Sequence, residues 1–393
     1  MLDIKQVQSL LAQEKIDGWL LYDFRHNNPL ACQFLSIPPH VNLTRRLFYW
    51  IPQSGTPVAL VHNVEVDVVN HLPGEKRIYS AYQMLSEQLS TLLKSSKVVA
   101  MEYSPKCNIP TVSKVDAGIV ELVQSFGPKV VSSAYFLQPL TCWRSEKELT
   151  LHRQAAHVLD QAASLCWQWI SEQLKKGAVI TEYDIQQFLL QQIDQGGCAM
   201  EGAPICGVNH NTANPHYTSV KGKALQVQRG DWILIDLWCK KKVPGAVYAD
   251  ITRVAVADTS PTERHQEIYY IVLHAQKKAT EFVESRVHQG KEIRGYEVDQ
   301  VARQVIAEAG YGPYFTHRTG HNIHEQDHGP GANIDGFETY DDRLLIPQTC
   351  FSIEPGIYLP QEFGVRQEYD VFIHPNKTIE INGGIQDSIV TLF

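Results

Sequence analysis

A stretch of the chain repeats itself at a fixed distance. KKGAVITEYDIQQFLLQQIDQGG lies over HQGKEIRGYEVDQVARQVIAEAG, 113 residues on, so that Gly177 meets Gly290, Ile180 meets Ile293 and Tyr183 meets Tyr296. Gln187 meets Gln300, Gln191 meets Gln304, Ile193 meets Ile306 and Gly197 meets Gly310. Asp184 and Glu297 agree in charge, Ile185 and Val298 in shape. Each copy ends one helix at Gly, opens a second and closes it at Gly, with a long helical pattern before and strand-like sequence after. The reading is a duplicated helix–helix–sheet unit, with a functional centre between its halves.

The first 140 residues read differently. Runs such as Gly18–Tyr22, Leu47–Ile51, Val58–Val61 and Lys97–Met101 are short buried strands, and Met84–Leu93 and Val115–Phe126 are helical. That alternation predicts an α/β layer. A helical pattern from Ser145 to about Lys176 follows, with Leu149, Ala155, Ala156, Leu159, Ala162, Ala163, Cys166 and Trp169 at helical spacing. The predicted fold class is α/β (α+β), with domains at 1–142 and 143–393.

Composition narrows the function. Against 43 acidic residues stand 35 Lys and Arg, a net charge of −8, so the basic field of a nucleic-acid binder is missing. No apolar run approaches the roughly 18 residues of a membrane span. The start lacks the basic-then-apolar pattern of a signal peptide, and the eight cysteines are scattered without a CxxC pair. A cytoplasmic address is expected.

Four carboxylates sit in apolar surroundings: Asp236 in GDWILIDL, Asp250 in YADITRVAV, Glu354 in CFSIEPGIY and Glu368 in FGVRQEYDV. A buried carboxylate is costly unless paired or bound to metal. Each Asp taken alone could instead pair with an arginine such as Arg253. Four together repel strongly, and a pair of divalent cations is the simplest neutraliser. Oxygen donors with one imidazole suit Mn²⁺ or a similar ion better than a thiolate zinc site.

These motifs resemble the pita-bread metallopeptidase family: Xaa-Pro aminopeptidase, prolidase, methionine aminopeptidase and the metal-free creatinase. The resemblance covers about residues 145–393 and agrees with the internal repeat. It implies a small N-terminal creatinase-like α/β domain and a C-terminal duplicated pita-bread catalytic domain. It also implies five metal ligands, Asp236, Asp250, His321, Glu354 and Glu368, around two divalent ions (Mn²⁺ first; Co²⁺, Zn²⁺ or Fe²⁺ otherwise). His216 and His328 match the family's two further histidines. The EPGIY and GVRQE pairing is most similar to the proline-specific branch.

The implied activity is an exopeptidase that hydrolyses the Xaa-Pro bond of N-termini or dipeptides through a metal-bridging hydroxide. Glu354 would take the proton, His328 and His216 would hydrogen-bond the intermediate or substrate, and Arg366 would hold a substrate carboxylate or pair with Glu368. Short proline-containing peptides are the expected partners, and a homodimer whose N-terminal domain caps the cleft is the expected assembly. The alternatives are a non-peptidase of the same fold, either a metal-dependent lyase or a C–N hydrolase, and a silent binding homologue.

Two departures stand out. Asp236 and Asp250 are fourteen residues apart where the family usually has eleven, so the Cys239–Gly245 hairpin must absorb three residues. His324 replaces a small residue three after His321, and its bulk is expected to reshape the pocket. The stretch His324-Glu325-Gln326-Asp327-His328 also fits the H-E-x-x-H zincin motif. That chemistry needs a helix, and Gly320 and Gly329-Pro330-Gly331 leave no room for one. Lys240–Lys242 reads as a solvated hairpin tip, Trp167 and Trp169 as helix packing, and His317 as a polar neighbour at the mouth.

Overall fold

The computed structural model describes residues 3–142 and 144–393. The first two residues of the opening helical pattern, and Trp143 at the start of the predicted second domain, lie outside the described residues. The chain divides into two compact units, Met1–Leu140 and Thr141–Phe393.

The first unit is built from α1 (Ile4–Gln13), β1 (Gly18–Asp23), α2 (Pro29–Phe34), β2 (Leu47–Pro52), β3 (Val58–His62), β4 (Glu75–Tyr79), α3 (Tyr82–Leu93), β5 (Val98–Met101), α4 (Ala117–Ser125) and β6 (Lys129–Ser132). Its six-stranded sheet runs β4-β3-β2-β1-β5-β6, with β1–β2 and β2–β3 antiparallel and the other pairs parallel. Trp19 and Leu21 enter a core with α1 residues Val7 and Leu11, whereas Leu20 and Tyr22 enter another with Leu85, Leu89 and Val120 of α3 and α4. Burial on both faces is why β1 and β2 read as unbroken apolar runs.

In the second unit α6 (Glu146–Lys175) follows α5 (Ala134–Thr141) and starts at a capping box, Ser145 Oγ accepting from Glu148 N while Glu148 accepts from Ser145 N. Its small buried residues, Ala155, Ala156 and Ala162, let it lie close on the sheet below. Next come α7 (Glu182–Gln195), β7 (Cys198–Ala199), β8 (Ile205–Val208), β9 (Trp232–Lys241) and β10 (Ala249–Val256). The second half supplies α8 (Glu263–Gln289), α9 (Gly295–Glu308), β11 (Asn322–Ile323), β12 (Cys350–Ile353), β13 (Gly356–Tyr358), β14 (Gly364–Arg366), β15 (Tyr369–Ile373), β16 (Ile379–Asn382) and β17 (Val390–Thr391). The sheets are β17-β10-β9-β7, with β8 also on β9, and β11-β12-β15-β16, beside the β13–β14 hairpin.

The repeat is visible as α6–α7 and α8–α9. Gly177, Gly290, Gly197 and Gly310 all have positive φ, so each copy stops its helices with the left-handed turn that favours glycine. Trp169 stacks on Phe188 of α7 with ring centroids 4.8 Å apart, as helix packing requires. Lys240–Lys242 is not a free tip. Lys240 and Lys241 pair with β7, Lys241 Nζ donates to Gly196 O at 2.7 Å, and Lys242 binds the Asp194 carboxylate.

Arg153 of α6 grips Glu380 of β16 through two bonds of 2.7 Å, and His374 adds a third contact at 2.8 Å. The Arg153 hydrogen bonds pull the Glu380 carboxyl down to about 2. A depressed carboxyl stabilises the fold above its unfolded value of about 4.3 and ceases to as pH falls towards 2. With Glu380 24% exposed and Arg153 37% exposed, solvent screening leaves about 1–2 kcal/mol. Glu380→Gln should lower unfolding stability by about that amount at pH 7. Urea titrations at pH 7 and below 3 check this, the gap closing at the lower pH.

Candidate metal centre

β9 and β10 pair antiparallel with Asp236 opposite Thr252 and Asp250 opposite Trp238, so Asp236, Asp250 and Thr252 share one face. The opposite face, with Ile233, Ile235, Leu237 and Ile251, packs in the α6–α7 core. The ladder begins at Cys239–Ala249, so the long hairpin between them absorbs its extra residues without a register slip. Two strands buried on both faces thus aim two carboxylates away from one core and towards the second half of the unit.

That half brings the rest. His321 immediately precedes β11, and its backbone N–H donates to Ser352 Oγ at 3.0 Å. Ser352 Oγ donates to Glu354 Oε1 at 3.0 Å, and Glu354 N donates to Thr319 O at 2.7 Å. His321 Nε2 consequently stands 3.4 Å from Glu354 Oε1 and 3.8 Å from Asp250 Oδ2. Glu368, between β14 and β15, accepts from Thr252 Oγ1 at 2.6 Å. Asp236, Asp250, His321, Glu354 and Glu368 all line one cavity of about 1000 Å³, together with His216, His328 and Arg366.

The electrostatics are those of crowded, dry acids. Burial holds the Asp250 and Glu368 carboxyls well above the usual range, and neighbouring carboxylates push in the same direction. Burial raises Glu354 to about 7 and also lifts Asp236, which Arg366 partly offsets. Burial presses His321 far below its ordinary value, which leaves a neutral imidazole able to donate a lone pair.

Arg366 is itself buried. It binds Asp236, donates to Tyr358 Oη at 3.1 Å and to Thr252 Oγ1 at 2.8 Å, and lies 3.8 Å from Glu368. Its geometry is that of a carboxylate partner within the cluster. His317 also lines the cavity, its Nε2 2.7 Å from Tyr358 Oη.

One acidic member was not anticipated. Asp327 lines the cavity, and burial, with the charges of Asp236 and Glu354, raises its carboxyl to about 8. Among the described residues, two groups of donors lie close enough to hold an ion, Asp250–His321–Glu368 and His321–Asp327–His328, and they share His321. Asp250 Oδ1 and Asp327 Oδ1 are buried without a hydrogen-bond partner among the described residues. Orphaned carboxylate oxygens among raised carboxyls fit a hard divalent cation. The sequence signal for Asp327 was there: an acid between His324 and His328 in a loop bounded by glycines.

His324 does not enter the cavity. Its Nε2 lies 2.5 Å from Thr141 O, so its bulk is spent on a backbone contact and the expectation of a reshaped pocket fails. Residues 324–328 form a bend rather than a helix, which removes the zincin reading.

Comparison with protein families matches residues 150–375 to metallopeptidase family M24. The chain belongs to that family. A Xaa-Pro dipeptidase of Pyrococcus horikoshii is 33% identical over 237 residues, 59% of this chain and 60% of its own, and one of Pyrococcus furiosus is 31% identical over 61% and 63%. The chain thus spans about three-fifths of the length of these two relatives. An uncharacterized peptidase of Staphylococcus epidermidis is 26% identical over 96% of this chain and 97% of its own. Among solved structures, the dipeptidase PepE of Mycobacterium ulcerans superposes with a TM-score of 0.69 at 20% identity, covering 99% of this chain and 96% of its own. The prolidase of Thermococcus sibiricus does so with 0.61 at 21%, covering 99% and 98%. The M24 chain therefore has the pita-bread fold with a leading α/β unit, and among its described residues no helix is long and apolar enough to cross a membrane.

Proposed function

We propose that this M24 protein is a dinuclear-metal exopeptidase that hydrolyses the Xaa-Pro bond of dipeptides. The convergence of two Asp, two Glu and one His on a single cavity carries the reading, and the Xaa-Pro dipeptidases among its relatives support the substrate class. Asp236, Asp250, His321, Glu354 and Glu368 are the proposed ligands. Two bound divalent ions would supply carbonyl polarisation and an acidified water. The oxygen-rich donors favour Mn²⁺.

The chain's own residues do the rest. Glu354, raised by burial, takes the proton of the attacking water. His216 and His328 donate hydrogen bonds to the carbonyl oxygen as charge develops there. Arg366 holds Asp236 and Glu368 in place rather than binding substrate. A prolyl nitrogen brings no N–H, so cleavage at this bond cannot rely on a hydrogen bond from that nitrogen. A cytoplasmic homodimer completes the proposal, and sedimentation of the purified protein tests the dimer.

Incubation with Ala-Pro, Ala-Pro-Ala and Ala-Ala, before and after chelation, tests the reaction. Ala-Pro should be cleaved, the activity lost on chelation and restored by Mn²⁺. Cleavage of Ala-Pro-Ala as well would extend the substrate to longer N-termini. If a fully metallated sample cleaves none of the three, the peptidase proposal is wrong and the lyase alternative takes its place.

A further inference from the structure

The second helix of each half holds a buried carboxylate that the proposed reaction leaves unused. Glu182 is the first residue of α7 and is fully buried. Its Oε1 accepts from Val208 N at 2.8 Å and Asn211 Nδ2 at 2.9 Å, and its Oε2 from Tyr217 Oη at 2.7 Å and Leu225 N at 2.8 Å. Val208 closes β8, and Leu225 lies seventeen residues on. Between them the chain has no strand and only one short 3-10 turn, Asn209–Ala213, yet it carries His216 and Tyr217 into the cavity. One carboxylate therefore ties both ends of this loop and two side chains between them. Beyond residue 213, Ser219 Oγ adds a bond to Cys206 O at 2.9 Å.

The other half has a comparable carboxylate at a different register position, since the 113-residue offset places Glu182 at Gly295 and Asp299 at Gln186. Asp299 of α9, also fully buried, accepts from Thr319 N at 2.9 Å, Thr319 Oγ1 at 2.7 Å and Gly336 N at 3.1 Å. Thr319 stands two residues before His321. In both halves the second helix spends a buried carboxylate on the segment that carries a cavity histidine.

We infer that Glu182 is a positioning residue, holding the 208–225 loop so that His216 faces the substrate. The inference deepens the proposed Xaa-Pro reaction and rests on it for its effect on catalysis. All four partners of Glu182 present hydrogens, and two of them are backbone N–H groups that cannot rotate away. In Glu182→Gln the amide oxygen still accepts from two partners, while the NH₂ faces the other two donors and leaves a buried backbone N–H unpaired.

Limited trypsinolysis at the exposed Lys221 and Lys223 reads the loop without reference to activity. Glu182→Gln should raise cleavage there about tenfold, since loop opening then requires fewer bonds to break. Ala-Pro turnover should fall in kcat by about 10- to 100-fold with bound Mn²⁺ unchanged. Adding Glu182→Gln to His216→Ala should lower kcat by no more than about twofold, because the histidine's placement is already lost. Should Glu182→Gln not fold, Tyr217→Phe, which removes one of the four bonds, carries the same test with smaller changes. Unchanged trypsinolysis in whichever variant folds, or losses that multiply in the Glu182→Gln/His216→Ala chain, would overturn the inference. If the wild-type protein cleaves no Xaa-Pro peptide, the reaction falls, and the trypsin measurement still decides whether Glu182 holds the loop.

Discussion

Glu354→Gln is expected to reduce Ala-Pro hydrolysis by about 1,000-fold or more, the loss of a general base together with an electrostatic contact. The substitution keeps the side-chain volume and the hydrogen bond from Ser352 Oγ. What disappears is the anionic oxygen 3.4 Å from His321 Nε2 and the capacity to take a proton. The stability change has the opposite sign in the metal-free protein. Asp236 and Glu368 crowd the same space: beyond burial, the charge of Asp236 raises the Glu354 carboxyl, and the charges of Glu354 and Asp236 raise that of Glu368. Removing one charge relieves that repulsion, so metal-free Glu354→Gln should melt no lower than metal-free wild type. Circular dichroism melts with and without Mn²⁺ check this. A variant that retained a tenth of the activity would refute the proton-acceptor role.

Gly320→Ala is expected to be nearly as damaging for a purely steric reason. A Cβ at residue 320 would lie 2.0 Å from Ser352 O and 3.2 Å from Ser352 Oγ, the group that receives His321 N–H and donates to Glu354. A backbone oxygen cannot step aside, so the segment leading to β11 must move away from β12. Displacing His321 by even an ångström should lower turnover by about 100-fold, and the overpacking should cost about 1–3 kcal/mol of stability. Gly118→Ala is the control. That glycine lies in α4, where the nearest side-chain atom would be 3.5 Å from the new Cβ, so a small gain in stability of about 0.5–1 kcal/mol is expected. Urea unfolding of the two variants distinguishes the cases.

What could be read in advance follows the range of the forces involved. The start of α6 at a Ser–x–x–Glu capping box and its alanine-rich buried face are local, and the predicted span of 145 to about 176 differs from Glu146–Lys175 by a residue at each end. The repeat was legible because four left-handed helix stops need glycine at matching places. Acids within apolar strands announced themselves by their cost. Long-range geometry was not legible. Nothing in the neighbourhood of His324 says that its ring meets Thr141 O, and nothing near Lys242 names Asp194. Asp327 passed unremarked because its burial depends on a loop folding back beside His321, and Glu182 looked like an ordinary acidic first-turn residue until Val208, Tyr217 and Leu225 closed around it. The apolar runs around Glu354 and Glu368 were visible as strand-like sequence, but not their pairing, which the β12–β15 and β15–β16 registers set.

Metal content per chain is the most direct measurement. Wild-type protein reconstituted with Mn²⁺ and freed of excess by gel filtration should retain two ions per chain, and Asp250→Asn should lose them while its circular dichroism stays that of the wild type. A wild-type chain that comes off the column folded and empty, or an Asp250→Asn chain still fully loaded, would contradict the claim that these acids are gathered to hold cations.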